Sequence, residues 1–314
     1  MSKFSVVIPL FNKEKDVLRT IHSVLNQTFS NFEIIIIDDG STDKSKFVVN
    51  NIKDDRINLF AKKNEGVSIA RNFGITNASS KFIAFLDADD YWYPDHLEKL
   101  DSLTNLFPNG KWFATAYEKK YHENFTSPMN SSILKNGNDW NGIVNNYFEN
   151  SLIDCLAWTS AVCMRKDFFL SLNGFDTKIT HGAGEDTDLW LRAALSSKLI
   201  FSTKITATHN LDGSNRISNT PTLKRSYMDL DQYEVLSKDN EQLKIYLDLN
   251  RYSFAIQHKM SNDLTSYKKY LKDLNINNLN SKQQFLLKQP RLLLISLIRV
   301  KGLFERFGMR LSSF

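Results

Sequence analysis

The chain has 314 residues, of which 42% are hydrophobic and 24% charged, and its formal net charge is +5. This composition is typical of a folded globular protein with a large core, and it excludes collagen-like and mucin-like chains. Cys155 and Cys163 lie eight residues apart, a spacing that supports neither a disulfide framework nor a structural zinc site. We therefore expect a cytoplasmic protein, and we find no signal-peptide pattern and no apolar run of transmembrane length.

Residues 1–110 alternate between short apolar runs and helical patterns, which predicts an α/β fold in βαβα order. The predicted strands are residues 4–8, 33–37, 57–61 and 81–86. Strands joined in this way form a mostly parallel sheet, and ligands bind beyond the carboxyl ends of its strands. We therefore expect the chemistry at residues 9–12, 38–43, 64–72 and 87–90.

The rest of the chain has a looser pattern. Residues 111–220 hold short strands, an Asn- and Ser-rich stretch and a helix near residues 186–197, which predicts a second half-domain. Beyond residue 221 the pattern is helical, with Pro221 at a helix start and Leu223, Tyr227 and Leu230 at helical spacing. We predict a domain of residues 1–220, with a nucleotide-binding half (1–110) and an acceptor-binding half (111–220), and a helical region of residues 221–314.

Three carboxylates follow the fourth predicted strand directly, at Asp87, Asp89 and Asp90. In extended backbone, Asp87 and Asp89 project to one side and Asp90 to the other. Two such carboxylates suit Mg²⁺ or Mn²⁺, which keeps positions for water and a substrate diphosphate. The alternative is a solvated turn in which Asp90 or Asp95 caps the helix that follows.

A second acidic pair, Asp38 and Asp39, follows the second predicted strand. Gly40 permits a tight turn there, and Ser41, Thr42 or Asp43 suits the cap of the next helix. The turn gives Asp38 and Asp39 no structural duty of their own. A carboxylate at this place is suited to accept hydrogen bonds from a nucleobase or a ribose.

Taken together, residues 5–12, 64–74 and 82–94 resemble family 2 glycosyltransferases of the GT-A fold. These segments read SVVIPLFN, NEGVSIARNFG and FIAFLDADDYWYP, and they stand in this order at the predicted strand ends. The resemblance covers about residues 4–117 and resumes around residues 158–192. As a set these segments are highly specific, although each alone is weak.

The resemblance assigns a donor site with a divalent cation, Mn²⁺ or Mg²⁺. It places Pro9 and Phe11 in a nucleobase pocket and Asp39 on the uracil N3–H, which favours a UDP-linked donor. Arg71 is similar to the arginine near the base and the diphosphate; its alternative role is a salt bridge to a strand-end acid. Asp87-Ala88-Asp89 matches the DxD motif, with Asp89 as the direct metal ligand and Asp87 nearer the ribose or the metal. His209 is a candidate for a further metal ligand, and Asp212 or Arg216 is the alternative functional group of this segment.

The acceptor side is implied by a second match, in which Glu185-Asp186 resembles the ED motif of the family. There Asp186 is the general base for the acceptor hydroxyl, and Glu185 and Trp158 line the acceptor pocket. A helix N-terminus stabilises a carboxylate and weakens it as a base, so burial has to offset this effect. The alternatives are helix capping by Glu185 and Asp186, and core packing of Trp158.

The reaction that the resemblance implies is inverting transfer of a hexose or N-acetylhexosamine from a nucleotide-sugar to a hydroxyl of a glycan or lipid-linked glycan. Two alternatives stay open: a catalytically inactive glycan- or membrane-binding module, and a sugar nucleotidyltransferase. The latter is disfavoured because no glycine follows strand one in Leu10-Phe11-Asn12-Lys13-Glu14. Nucleic acid is not expected as a partner, because the basic residues collect in an apolar tail.

That tail runs from residue 282 to residue 314 and holds seven basic residues against one acid, Glu305. Apolar residues such as Leu292, Ile295 and Phe307 are interleaved with the cations. Such a segment suits an anionic membrane surface, here the inner face of the cytoplasmic membrane. The alternative is a terminal helix that packs on the domain and leaves its cations in water.

Overall fold

The structure, a computed structural model, describes residues 2–306. These residues form two compact units. The first contains residues 2–120, 126–219 and 226–228, and the second contains the remaining described residues. The predicted boundary after residue 220 differs from this division in three places, since residues 121–125 and 220 belong to the second unit and residues 226–228 to the first.

One mixed sheet forms the centre of the first unit. Among the described residues its strands are β1 (Phe4–Leu10), β2 (Phe32–Asp39), β3 (Ile57–Lys62), β4 (Phe82–Phe85), β5 (Tyr91–Trp92), β6 (Trp112–His122), β7 (Phe125–Pro128), β8 (Asn141–Ile143), β9 (Val162–Arg165) and β10 (Ile200–Asn210). The strand order along the sheet is β3-β2-β1-β4-β9-β6-β10-β5, and β8 pairs with β10.

The strands from the first 110 residues form the parallel part of this sheet. β1 pairs in parallel with both β2 and β4, and β2 pairs in parallel with β3. Their apolar runs, such as Val6–Ile8 and Ile34–Ile37, are almost fully buried, as expected of a parallel sheet covered on both faces. The predicted α/β fold with a mostly parallel core is confirmed. β9 lies antiparallel between β4 and β6, so residues 111–220 extend the same sheet.

Helices surround and follow the sheet. Their bounds are α1 (Val17–Leu25), α2 (Ser45–Asn50), α3 (Val67–Asn77), α4 (His96–Leu106), α5 (Tyr147–Asn150), α6 (Lys166–Ser171), α7 (Glu185–Ser196), α8 (Glu234–Ser237), α9 (Glu241–Met260), α10 (Leu264–Lys272), α11 (Ser281–Lys288) and α12 (Arg291–Arg306). Asp95 is the N-cap residue of α4, but its side chain makes no capping hydrogen bond. Capping by Asp95 therefore does not account for the acidic cluster before this helix.

The helix predicted from Pro221 does not form. Pro221 has extended backbone and precedes a single 3₁₀ turn, and the first long helix after it begins at Glu241. The physical reason lies in the tertiary contacts of Met228, whose backbone N–H donates to the Ala183 carbonyl at 3.1 Å. Within the predicted apolar stripe, Leu223 is exposed and Leu230 is buried, so its members do not share one environment.

The second unit is helical around its own core. Tyr252, Ala255 and Ile256 of α9 pack with Leu286 and Leu287 of α11 and with Leu294 of α12. Within residues 2–306, no helix combines the length and the apolar character needed to cross a bilayer. Phe307 and Arg310 of the predicted tail lie outside the described residues.

Candidate active site

The carboxyl ends of the parallel strands meet at one edge of the sheet. The register places Leu10 opposite Asp38 and Val7 opposite Phe85. The segments that follow β1, β2 and β4 therefore emerge together, as the sequence predicted. Pro9 lies in β1 opposite Ile37, and the ring of Phe11, one residue beyond the strand, is 38% exposed.

Asp39 is buried at this edge and is held by three donors. Its Oδ1 accepts from Lys62 Nζ at 2.8 Å and from the Glu65 N–H at 3.1 Å, and its Oδ2 accepts from the Gly66 N–H at 2.8 Å. Asp38 Oδ1 in turn accepts from the Ser41 N–H at 3.0 Å. The prediction that both acids lack a structural duty was wrong, because the turn amides and Lys62 lie close to them only in the folded chain.

Gly40, between this pair and the next helix, is required by the backbone. Its φ is +76°, and a Cβ there would lie 2.8 Å from the backbone nitrogen of Asn64. A side chain at this position is therefore both strained and blocked. The same Asn64 donates from Nδ2 to the Asp39 carbonyl at 2.9 Å, which ties the β2 turn to the segment before α3.

Arg71 interacts with the acids that follow β4 and with those at the start of α7. It is buried, its Nη2 donates to Asp87 Oδ1 at 2.6 Å, and its guanidinium lies over the Phe175 ring at 5.1 Å. Burial opposes its charge, but the carboxylates of Asp87, Asp186 and Glu185 outweigh burial and raise the pKa of Arg71 above its ordinary value. The salt bridge to a strand-end acid is therefore present, and the same cation also interacts with the α7 carboxylates.

Asp89 faces a lysine that the sequence did not single out. Lys13 Nζ donates to Asp89 Oδ2 at 2.6 Å and also to the carbonyl of Ser214. A Cβ on Gly213 would lie 2.8 Å from Asp89 Oδ2, so the segment after β10 lies directly against this carboxylate. Burial raises the pKa of Asp89, and the neighbouring Lys13 charge opposes that rise.

Asp90 is buried and organises the structure around it. Residues 87–90 form a turn in which the Asp90 N–H donates to the Asp87 carbonyl at 3.0 Å, so the alternation predicted for extended backbone does not apply here. The Asp90 carboxylate accepts from Ser160 Oγ at 2.5 Å, from Trp158 Nε1 at 3.1 Å and from the Asn210 N–H at 2.8 Å. Burial, together with the negative charges of Asp89 and Asp87, raises its pKa well above the ordinary value. Ala88, between the acids, is buried, and its carbonyl accepts from Thr20 Oγ1 at 3.0 Å.

His209 is enclosed by Trp158 and Arg216. Its ring stacks on Trp158 with centroids 3.7 Å apart, and its Nε2 lies 3.2 Å from Arg216 Nη2. Burial lowers the pKa of His209 well below its ordinary value, and the Arg216 charge acts in the same direction. Trp158 thus packs between Asp90 and His209, and its predicted role in the acceptor pocket stays a prediction.

Asp87 and Asp89, the acids after β4, fit a divalent cation. The larger predicted ligand set, which adds His209, does not. Mg²⁺ is usually bound through one or two carboxylates together with substrate phosphates, and Asp87 and Asp89 supply such oxygens. Lys13 already places a positive charge against Asp89. Within residues 2–306 no three His, Cys, Asp or Glu side chains cluster in a way that could hold a metal. His209 therefore does not complete a three-ligand set with Asp87 and Asp89, and its Nε2 faces a cation.

Glu185 and Asp186 begin α7 in different surroundings. Glu185 is buried, and its Oε2 makes no hydrogen bond within the described part of the chain. Asp186 is half-buried and accepts from Thr159 Oγ1 at 2.7 Å. Neither side chain caps the helix, whose N-cap residue is Gly184 with φ +104°. The capping alternative is therefore not what the structure shows.

The carboxyl group whose pKa comes near neutrality belongs to Glu185. Burial, together with the charge of Asp186, raises the pKa of Glu185 from 4.5 to about 7, although Arg71 opposes this rise. At Glu185, the residue next to the predicted base, burial thus offsets the effect that a helix N-terminus has on the pKa of a carboxyl group.

We expect Glu185→Gln to flatten the pH dependence of stability. A carboxyl whose pKa is raised on folding binds its proton more tightly in the folded chain, so stability falls as the pH rises from 4.5 to about 7. The loss attributable to Glu185 is at most about 3 kcal/mol. Urea unfolding of wild type and variant across this range measures it, and parallel curves for the two proteins would contradict the assignment.

The fold of the chain is GT-A, as expected from the resemblance. It is similar to the crystal structure of S. aureus TarS 1–349 in complex with UDP-GlcNAc, with a TM-score of 0.63 and 18% identity over 98% of this chain and 92% of that chain. Residues 5–105 match the family model described as Glycosyl transferase family 2. This match covers about a third of the chain, its N-terminal part.

Curated relatives match about a third of the chain, among them two bacterial glycosyltransferases. An uncharacterized glycosyltransferase of Rickettsia conorii is 54% identical over 98 residues, which are 31% of this chain and 16% of the relative. The UDP-Glc:alpha-D-GlcNAc-diphosphoundecaprenol beta-1,3-glucosyltransferase WfgD of Escherichia coli is 41% identical over 95 residues, which are 30% of this chain and 38% of WfgD. The chain thus spans less than half the length of these relatives.

Proposed function

We propose that this protein is an inverting glycosyltransferase that moves a sugar from a UDP-linked donor to a hydroxyl of a glycan or lipid-linked glycan. The match of residues 5–105 to the family model supports the reaction class. The TarS structure contains UDP-GlcNAc, and the name of WfgD specifies UDP-Glc and a diphosphoundecaprenol acceptor. The observation that carries the proposal is Arg71, because this one cation interacts with Asp87 after β4 and with both carboxylates at the start of α7.

The donor side of the proposal rests on Asp39 and Phe11. A carboxylate offers about four acceptor positions, and the three donors around Asp39 leave room for one more, such as a uracil N3–H. The amides of Glu65 and Gly66 fix the orientation of this carboxylate. Phe11 presents an exposed aromatic ring at the same edge for base stacking.

Asp89 with Asp87 would hold Mn²⁺ or Mg²⁺ together with the donor diphosphate. When bound, this cation would neutralise charge on the departing diphosphate. The chain supplies positive charge at the same two acids, because Lys13 contacts Asp89 and Arg71 contacts Asp87.

The acceptor side is assigned to Asp186. Its carboxylate takes the proton of the acceptor hydroxyl as the hydroxyl oxygen bonds to the anomeric carbon and the bond from that carbon to the diphosphate breaks. Thr159 Oγ1, which donates to Asp186 Oδ2 at 2.7 Å, holds the carboxylate in one orientation. The nucleoside diphosphate leaves from the opposite face, which inverts the configuration.

We place the activity in the cytoplasm, at the inner face of the membrane where lipid-linked glycans are extended. Cys155 and Cys163 are both free thiols, which suits a reducing compartment. A lipid-linked acceptor of the kind named for WfgD would bring the reaction to a membrane surface.

A donor screen tests the proposal. Thermal shifts are measured with UDP-, GDP- and dTDP-sugars, with Mn²⁺ and with a chelator, and donor hydrolysis is followed in parallel. We expect a shift with UDP compounds that requires the metal, is lost in Asp89→Ala and is kept in Asp95→Ala, which changes a nearby acid outside the site. A shift with another nucleotide alone would contradict the role of Asp39, and binding without any hydrolysis or transfer would favour an inactive binding module.

A further inference from the structure

The last helix of the second unit has two apolar sides. Leu294 is buried in the unit core, and Leu297 packs against that core. At 100° per residue, six of the exposed side chains of α12 fall on one arc of about 140°, which lies beside the arc of Leu294 and Leu297. We call this arc the outer face of α12; it consists of Leu292, Leu293, Ser296, Arg299, Val300 and Phe304.

Four of these six residues are large and apolar. Leu292 is 73% exposed, and Leu293, Val300 and Phe304 are between 38% and 46% exposed. The solvent face of a helix that packs on a globular core is normally polar, and contiguous exposed apolar side chains mark an interaction surface. The outer face therefore has the composition of a surface that is covered in the working protein.

The positive charge around this face favours an anionic partner. Residues 274–304 contain five cations, Lys282, Lys288, Arg291, Arg299 and Lys301, and no acid. Lys288 and Arg291 are exposed at the start of α12, and Arg299 lies within the outer face. A second copy of the chain would bring the same positive segment against itself, whereas an anionic surface complements it.

We propose that the outer face of α12 is a membrane-binding surface that lies along the headgroup region of an anionic bilayer. Leu292, Leu293, Val300 and Phe304 would enter the boundary between headgroups and acyl chains, and Arg299 would contact lipid phosphates. From residue 292 to residue 304 this face is about 18 Å long, which suits a helix lying in the plane of the interface. The two sequence-based alternatives thus combine, because one side of the helix packs on the unit and the other side is free for lipid. This inference does not depend on the proposed catalytic activity.

Sedimentation of the full chain with vesicles tests the proposal. We expect binding to phosphatidylcholine vesicles that contain phosphatidylglycerol, little binding to phosphatidylcholine alone, and weaker binding at high salt. Arg299→Gln should weaken binding about fivefold, as expected for one cation near an anionic surface. Leu292→Asp should weaken it further, because it places a carboxylate in the apolar part of the face.

The matched control is Leu236→Asp, which changes another exposed leucine of the second unit, on α8. It should bind vesicles as wild type does, and thermal unfolding should show that all three variants are folded. Equal binding to both vesicle types, or unchanged binding of Leu292→Asp, would overturn the proposal. So would a dimer in size-exclusion chromatography with light scattering that Leu292→Asp dissociates, because a second copy would then cover the face.

Discussion

Asp186→Asn is expected to reduce sugar transfer by about 10²–10⁴-fold, the usual contribution of a general base, while donor binding stays nearly unchanged. The amide cannot accept the acceptor proton, but it keeps the size of the side chain and an oxygen for Thr159 Oγ1, which donates to the carboxylate at 2.7 Å. The measurement is the rate of transfer at saturating donor, with donor affinity determined in parallel. Glu149→Gln, a carboxylate-to-amide change at an exposed position, is the control.

The neighbouring Glu185 makes this test specific. Both carboxylates interact with Arg71, and burial raises the pKa of Glu185 to about 7. If Asp186→Asn retained turnover and Glu185→Gln lost it, the base would be Glu185. If both variants lost transfer and kept donor binding, Glu185 would act through Asp186. The change in the pH profile of transfer in Glu185→Gln would then measure the size of that effect.

Arg71→Met is expected to have the largest effect on stability of any substitution in the site. Arg71 is buried against Asp87, and removal of one partner of a buried pair costs about 3–5 kcal/mol because it leaves an uncompensated charge. Donor binding should fall as well, since Asp87 and the α7 carboxylates lose the cation that they share. Urea unfolding and thermal shift with donor measure the two effects.

Two comparisons control this experiment. Arg165→Met removes a more exposed arginine, paired with Asp167 at 2.6 Å, and should change stability by less than about 1 kcal/mol. Arg71→Met combined with Asp87→Asn should recover part of the lost stability, because the orphaned carboxylate is neutralised. If Arg71→Met were as stable as Arg165→Met, Arg71 would not be the shared counter-ion of the site.

Local patterns predicted the first strands well, and the helix after Pro221 badly. The runs of β1 and β2 are apolar at nearly every position, so any fold that buries them on both faces contains them as strands. The spacing of Leu223, Tyr227 and Leu230 is equally regular, but Leu223 is exposed and Met228 is held by the Ala183 carbonyl in the first unit. Regular apolar spacing predicts a helix whose apolar side chains are buried together. After Pro221 the tertiary structure places these side chains in different surroundings, so the helix does not form.

In the candidate site, too, some features follow from local sequence pattern and others from tertiary contacts. Local pattern predicted which segments emerge at the strand ends, because the parallel strand order follows from it. The alternation predicted for extended backbone does not apply to Asp87, Asp89 and Asp90, because residues 87–90 form a turn. Only the tertiary structure decided which charges meet: Lys13 reaches Asp89 across 76 positions, and Asp90 accepts from the Asn210 amide across 120. Ion pairing and desolvation depend on distances in space, so the shared Arg71 counter-ion and the raised pKa of Glu185 exist only in the folded chain.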